Sequence, residues 1–174
     1  LKQSLFNPLG MKHTDFYVQP EDVQLVAKAY KHDAAGKLEL GEFGPLSAQT
    51  KRPEFISGGG GLISTAGDYL RFAQMLANGG TFEGRQDLSP ITVALMSSNQ
   101  VPADAQRLYW GESSKGLGYG LGVAPEIDIR IAPHAGMDGD YAWGGILDTH
   151  WVASPKTGVV AVLMTQVNPM GRKE

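Results

Sequence analysis

The run Tyr141-Ala142-Trp143-Gly144-Gly145-Ile146-Leu147-Asp148-Thr149-His150-Trp151-Val152-Ala153-Ser154-Pro155 decides how the chain is read. Its β-branched and aromatic residues, ending before a Pro-Lys-Thr-Gly turn, predict a strand. Val159-Val160-Ala161-Val162-Leu163-Met164-Thr165 returns as its partner. Two glycines early in a strand weaken it unless something must lie close against the backbone. A substrate docked along the strand edge, with a backbone N–H aimed at it, meets that requirement. A bulge or a packing glycine meets it too, and on spacing alone is the commoner case.

On the N-terminal side of this run, His134-Ala135-Gly136-Met137-Asp138-Gly139 reads as a loop and Ile127-Asp128-Ile129-Arg130-Ile131 as an alternating strand. Gly116-Leu117-Gly118-Tyr119-Gly120-Leu121-Gly122-Val123 alternates glycine with larger residues, as in a strand packed closely on another backbone. Its similarity to a dinucleotide fingerprint is weak, because Pro125 stands where that motif needs a helix. Further upstream, Ser89-Pro90 opens a short helix carrying Val93, Leu95 and Met96, which ends near Ser98-Asn99. Thr65 and Asp68 resemble a helix N-terminal cap. The helix they open spans about 66–77, with Tyr69, Phe72, Ala73 and Leu76 on one face, and Asn78-Gly79-Gly80 stops it. Ser57-Gly58-Gly59-Gly60-Gly61-Leu62-Ile63 lacks the Lys-Ser/Thr of a phosphate-binding loop. Residues 31–55 read as a polar, irregular surface excursion. Val23, Leu25, Val26, Ala29 and Tyr30 form a brief apolar cluster, helix or strand, and Leu5-Phe6 ends a helix before a turn at Pro8 and Gly10.

A chain of 174 residues with 42% hydrophobic and 19% charged residues suffices for one globular domain with a sizeable core. A net charge of −3 gives no reason to expect nucleic acid or an anionic membrane as partner. The absence of cysteine excludes disulfides, thiol catalysis and Cys-based zinc sites, and fits either redox compartment, periplasm or cytoplasm. No apolar run reaches the length of a membrane span. Leu1-Lys2-Gln3-Ser4 has neither an initiator Met nor a signal-peptide layout and reads as the middle of a longer protein.

Complete chemistry is not found within these residues. His13, His32, His134 and His150 are scattered without ligand spacing, so no metal or other cofactor is expected. Gly-x-Ser-x-Gly is absent, and nothing selects a Ser–His–Asp set. Lys156-Thr157-Gly158 follows Pro155 between two strands and is most simply their hairpin turn.

Four pieces together resemble the C-terminal half of the serine β-lactamase, penicillin-binding protein and class C-like esterase family. They are Phe6-Asn7-Pro8-Leu9-Gly10-Met11, then Gly59-Gly60-Gly61-Leu62-Ile63-Ser64-Thr65-Ala66-Gly67-Asp68-Tyr69, then Gly116-Leu117-Gly118-Tyr119-Gly120. The last is Trp143-Gly144-Gly145 with Pro155 downstream and Met164-Thr165-Gln166 after it. Their order and spacing match over nearly the whole chain. The resemblance implies an α+β fold of the β-lactamase/transpeptidase type, an antiparallel sheet flanked by helices, of which residues 1–174 are the C-terminal portion of a single domain. The helix that relatives place after the last strand would lie beyond Glu174.

The family carries its nucleophile in Ser-x-x-Lys, a tyrosine base in Tyr-x-Asn, and a third element that is Lys-Thr-Gly, His-x-Gly or, in the esterase-like branch, Trp-Gly-Gly. By position, Trp143-Gly144-Gly145 is the third element and the Ile146 N–H is half of the oxyanion hole, a donor type that lowers acyl-transfer barriers by ~3–4 kcal/mol. Gly60 takes the place beside the bound acyl group and widens the cleft toward bulkier esters. His134-Ala135-Gly136 is a rival third element, although it lies far from Pro155. No Ser-x-x-Lys or Tyr-x-Asn occurs in the chain, so the nucleophile, its lysine and the tyrosine are expected outside it. Residues 1–174 alone are expected to be inert. The whole protein is expected to be a serine hydrolase acting on a small-molecule ester or β-lactam, with a D-alanyl-D-alanine peptidase or a non-catalytic binding module as alternatives. Trp143, where relatives carry a cation, tilts the expectation toward esters. Sheet edges left open predict self-association.

Overall fold

Residues 141–163 form three strands rather than the two expected. In the computed structural model, which describes residues 1–43, 50–102, 115–132 and 136–168, the long run breaks after Gly144 into β6 (Tyr141–Gly144) and β7 (His150–Ser154), and β8 (Val159–Leu163) follows. With β5 (Ala124–Pro125) they make a four-stranded sheet in the order β5-β6-β7-β8. Ala124 pairs antiparallel with Ala142 and Pro125 with Tyr141. The connections between β6, β7 and β8 are too short for anything but antiparallel pairing. The turn after Pro155 is the expected one: Gly158 adopts a left-handed conformation (φ 72°) and its N–H donates to the Ser154 carbonyl at 2.8 Å. Lys156-Thr157-Gly158 therefore closes a hairpin.

By its internal contacts the chain divides into two units, Leu1–Tyr69 with Gly144–Thr149 and Leu163–Glu174, and Leu70–Trp143 with His150–Val162. The second unit holds the sheet and the aromatic core. The β6–β7 pairing puts buried Tyr141 edge-to-face with Trp151, ring centroids 6.0 Å apart, and Trp151 in turn meets Phe72 at 6.3 Å. Phe72 belongs to α2 (Ala66–Ala77), whose span matches the expectation. Ala73 and Leu76 are buried as the 3/4 spacing predicts, and Met75 and Ala77 are buried as well. Gly79 and Gly80, at φ 63° and 93°, stop the helix. A two-residue hairpin follows, β3 (Thr81–Phe82) against β4 (Arg85–Gln86), turned by Glu83 and Gly84, both at positive φ. Then α3 (Pro90–Met96) starts on a Ser89 side chain that accepts the Thr92 N–H, with Pro90 at its first position.

Two expected strands of this unit are not formed. Gly116–Val123 is irregular apart from an isolated bridge between Leu117 and Glu126. Its glycines do serve close packing: a Cβ on Gly120 would run into the Met96 carbonyl, and one on Gly118 would lie 2.8 Å from Asn99 Cβ. Ile127–Ile131 is a turn. Asp128 overrides the alternation, since its carboxylate accepts the Arg130 backbone N–H at 3.1 Å and the Arg130 guanidinium at 2.7 and 2.8 Å. That hydrogen-bonded guanidinium also holds the Asp128 carboxyl below its usual range. The Asp128 carbonyl accepts the N–H groups of Ile131 and Ala132, and all three isoleucines are exposed.

The first unit opens with a wide helical turn, Lys2–Phe6, running into α1 (Asn7–Leu9) and ending at left-handed Gly10. Pro8 sits inside this helix, not in the turn after it. Phe6, Leu9 and Met11 are buried. Of the cluster at 23–30, Val23 and Leu25 lie exposed on a 3-10 helix (Pro20–Leu25), Val26 and Ala29 lie outside regular structure, and Tyr30 begins a strand. The expected excursion at 31–55 begins as a hairpin of β1 (Tyr30–His32) and β2 (Leu38–Leu40). Asp33 holds its turn, accepting the N–H groups of Ala35 and Lys37 at 2.9 and 2.8 Å. Residues 44–49 of that stretch lie outside the described residues.

Tyr141 yields a test of this packing. Its buried hydroxyl has no hydrogen-bond partner among the described residues, and burial pushes its pKa up to about 12. Below pH 10 the phenol is protonated folded or unfolded. Between pH 10 and about 12 the unfolded chain releases the proton first, so stability falls as pH rises. Burial raises Tyr69 to about 12 as well, which adds to the same slope. Tyr141→Phe is expected to leave stability at neutral pH within about 1 kcal/mol of wild type. It should also flatten the alkaline loss, as read by urea denaturation at neutral pH and at about pH 11. An unchanged alkaline loss would contradict this account of Tyr141.

Candidate active site

The segment expected to be the third element, Trp143-Gly144-Gly145, lies where β6 runs out. Tyr141 and Trp143 share one face of the strand, by its period of two, Tyr141 buried and Trp143 half-buried. Gly144, Gly145 and Ile146 are exposed, Ile146 to 51%. Beyond them the chain reverses. The Gly145 N–H donates to the Thr149 carbonyl at 2.8 Å, the Asp148 N–H donates to the Gly145 carbonyl at 3.0 Å, and Asp148 takes a left-handed conformation (φ 63°). Leu147 turns inward and is buried.

This turn is clamped from one side. The Thr165 hydroxyl lies 3.0 Å from the Leu147 carbonyl and 2.5 Å from that of Asp148, and the Val167 N–H donates to the Leu147 carbonyl at 3.1 Å. Carbonyls 147 and 148 are thus occupied, and Leu147 anchors the loop by burial. Among the described residues, the Ile146 N–H has no acceptor. Ile146 is thus an exposed residue in a turn braced beside it at the Leu147 and Asp148 carbonyls.

The two glycines do not serve the same purpose. A Cβ on Gly145 would run into the Thr149 hydroxyl, so this glycine answers to its own turn, which is the packing reading. Gly144 is exposed at the end of the strand. Gly60 is exposed as well, with nothing within 4 Å of an added Cβ. The loop around it is held locally: Ser57 Oγ accepts the Gly59 N–H at 3.1 Å. Downstream, Thr65 Oγ1 accepts the Asp68 N–H at 3.1 Å, which is the expected cap. The Asp68 carboxylate does not complete a reciprocal capping box. It accepts the His13 N–H at 2.7 Å and the Thr14 hydroxyl at 2.9 Å, and Thr14 also bonds Ser64. Gly60, Gly144, Gly145 and Ile146 fall in the first unit and Trp143 in the second.

The rival element at 134–136 cannot be judged, since His134 and Ala135 lie outside the described residues; a Cβ on Gly136 would run into the Glu126 carboxylate. Thr165, whose hydroxyl braces the turn, and Tyr119, whose ring meets that of Trp143, both stand in the family-like motifs, but sequence reasoning gave neither a role. Among the described residues no group of His, Asp and Glu could hold a metal ion, and no helix is long and apolar enough to cross a membrane.

The Gly145–Thr149 geometry is testable. Gly145→Ala is expected to cost ~1–2 kcal/mol of stability from crowding. In a Thr149→Ala background most of that cost should vanish, giving a coupling term in a double-mutant cycle. Additive effects would show that the hydroxyl is not what excludes a side chain at 145.

A Beta-lactamase family model matches residues 1–174. Protein Rv1367c of Mycobacterium tuberculosis strain H37Rv is 32% identical over 97% of this chain and 43% of its own length. Among solved structures, EstCE1, described as a hydrolase with promiscuous acyltransferase activity, superimposes with a TM-score of 0.78 at 27% identity, over 98% of this chain and 45% of that one. The simvastatin synthase LovD of Aspergillus terreus superimposes with a TM-score of 0.77 over 99% of this chain and 46% of that one, at 20% identity, a likeness of fold alone. The chain thus spans less than half the length of each of these proteins. With its helices and antiparallel strands in the β-lactamase/transpeptidase arrangement, and with the family model matched from Leu1 to Glu174, this chain is a portion of a domain belonging to the Beta-lactamase family.

Proposed function

We propose that residues 1–174 form one wall of the catalytic cleft of a serine hydrolase that cleaves carboxylic esters through an acyl-enzyme. The observation that carries this reading is the exposed Trp143-Gly144-Gly145-Ile146 segment, whose Ile146 N–H has no acceptor among the described residues and whose flanking turn is braced by Thr165. The nucleophilic serine, its lysine and the tyrosine come from outside this chain. Attack of the serine oxygen on the ester carbonyl makes a tetrahedral oxyanion. The Ile146 N–H donates to it together with the N–H of the nucleophile itself. A donor held in place before charge develops needs no reorganisation as the barrier is crossed. The alcohol leaves with a proton, and water then attacks the acyl-enzyme to release the acid.

Substrate class follows from the charge at position 143. β-Lactams and peptide termini carry a carboxylate that a cation at this place would grip. Trp143 offers an aromatic ring instead, which favours uncharged esters. The open space at Gly60 is consistent with a bulky acyl group. The hydrolase and acyltransferase description of EstCE1, at 27% identity, supports acyl transfer as the reaction class.

A serine-reactive fluorophosphonate on the full-length protein tests this. The expected adduct lies on a serine outside residues 1–174, and the isolated chain near 18.6 kDa stays unlabelled. Labelling at Ser57 or Ser64 would overturn the assignment of roles, and no adduct on any serine would favour a non-catalytic binding module. In the active full-length enzyme, Trp143→Lys is expected to raise penicillin turnover relative to ester turnover. An unchanged ratio would count against the carboxylate argument.

A further inference from the structure

Tyr119 has no part in the chemistry described above, yet it is held with care. Its backbone is fastened on both sides. The Tyr119 N–H donates to Asn99 Oδ1 at 3.0 Å, and its carbonyl accepts the Gln100 N–H at 2.8 Å. Asn99 is itself fixed, exchanging hydrogen bonds of 2.9 and 3.2 Å with the backbone of Val101. On the other flank, the Gly120 N–H donates to the Val123 carbonyl and the Leu121 N–H to that of Met96, at 2.8 and 2.9 Å. Gly118 and Gly120 admit no side chain against Asn99 and Met96. A loop tied at this many points gives its one aromatic side chain a defined position.

That side chain meets Trp143. The ring centroids lie 5.4 Å apart with planes inclined at 70°, an edge-to-face pair. A pair serving only the core would bury both rings, as Tyr141 and Trp151 are buried. Tyr119 remains 43% exposed and Trp143 half-buried. We propose that Tyr119 is a specificity-determining residue: it fixes the Trp143 ring and forms with it an open aromatic corner that receives an uncharged aryl or alkyl group of the substrate. The inference deepens the ester-hydrolase reading and rests on Trp143 lying at the binding site. Two aromatic rings at an angle favour a planar or aliphatic group through surface burial and edge-to-face contact, whereas neither supplies the positive charge that would offset the desolvation of a carboxylate.

The test uses the full-length protein and valerophenone, a neutral aryl ketone that cannot be hydrolysed, with binding measured by calorimetry. Tyr119→Phe keeps the ring and is expected to bind within about twofold of wild type, while Tyr119→Ala is expected to bind roughly three- to tenfold more weakly. Tyr119→Leu, which keeps apolar volume without a ring, should resemble the alanine variant and carries the test if that variant fails to fold. With p-nitrophenyl hexanoate the loss should appear in KM and leave kcat close to wild type, and it should shrink with p-nitrophenyl acetate. Absence of ketone binding to wild type, equal binding by all variants, or a phenylalanine variant as weak as alanine would each overturn the proposal. Fluorophosphonate labelling separates the two readings. A protein that is not labelled but binds the ketone through Tyr119 keeps the aromatic corner and loses the hydrolase. A labelled protein whose ketone affinity ignores Tyr119 does the reverse.

Discussion

The hydroxyl of Thr165 is the contact on which the candidate site depends. It lies within hydrogen-bond distance of the carbonyls of both Leu147 and Asp148, and two residues later the Val167 N–H donates to Leu147 again. A five-residue turn carrying one glycine and a left-handed aspartate has many conformations in isolation, and ordering each residue costs ~1–2 kcal/mol of backbone entropy. The anchors at 165 and 167 supply a single template for it. With carbonyls 147 and 148 directed toward Thr165 and Leu147 buried, Ile146 is left at the exposed crest with its N–H unsatisfied. An oxyanion donor must have this character: fixed by its neighbours and not committed to a partner of its own.

A second layer of order comes from aromatic rings. Phe72, Trp151 and Tyr141 meet in succession, edge against face, and tie α2 to the adjoining strands β7 and β6. Along the same face of β6, two residues beyond Tyr141, Trp143 takes its own edge-to-face partner in Tyr119. One strand thus carries a buried aromatic that fixes its place in the sheet and, at its end, a half-buried one. The change from buried to open occurs over four residues, just where the strand ends in glycine.

Glycine has three different duties in this chain. At Gly79, Gly80 and Gly158 it supplies a left-handed backbone that stops a helix or turns a hairpin. At Gly118, Gly120 and Gly145 it permits an approach that a Cβ would block. At Gly60 neither reason applies, and open space is what remains. Sequence spacing could not separate these duties. Gly144-Gly145 looked like a paired opening for a substrate, but the neighbour that lies against Gly145 is Thr149 of the same turn.

Much of the local structure was legible in the residues because its causes are local. Ser89-Pro90, Thr65 with Asp68, Asn78-Gly79-Gly80 and Pro155-Lys156-Thr157-Gly158 each act through hydrogen bonds or backbone angles within a few positions, and each appears as expected. Where local signals conflicted, the reading failed. The alternation of Ile127, Ile129 and Ile131 argued for a strand, but the Asp128 carboxylate captured Arg130 and bent the chain, so the apolar side chains were left outside. The β1–β2 hairpin was missed because its strands are three residues long and its turn is held by one aspartate. The sequence by itself determined the family, since four motifs in order and register suffice for that, and the limits of α2, whose cap and glycine stop act locally. Only the tertiary structure decided that the long strand breaks at Gly145, that Thr165 braces the break, and that Tyr119 faces Trp143. Those contacts join residues about 17 to 24 positions apart, a separation at which no spacing rule operates and only packing brings the partners together.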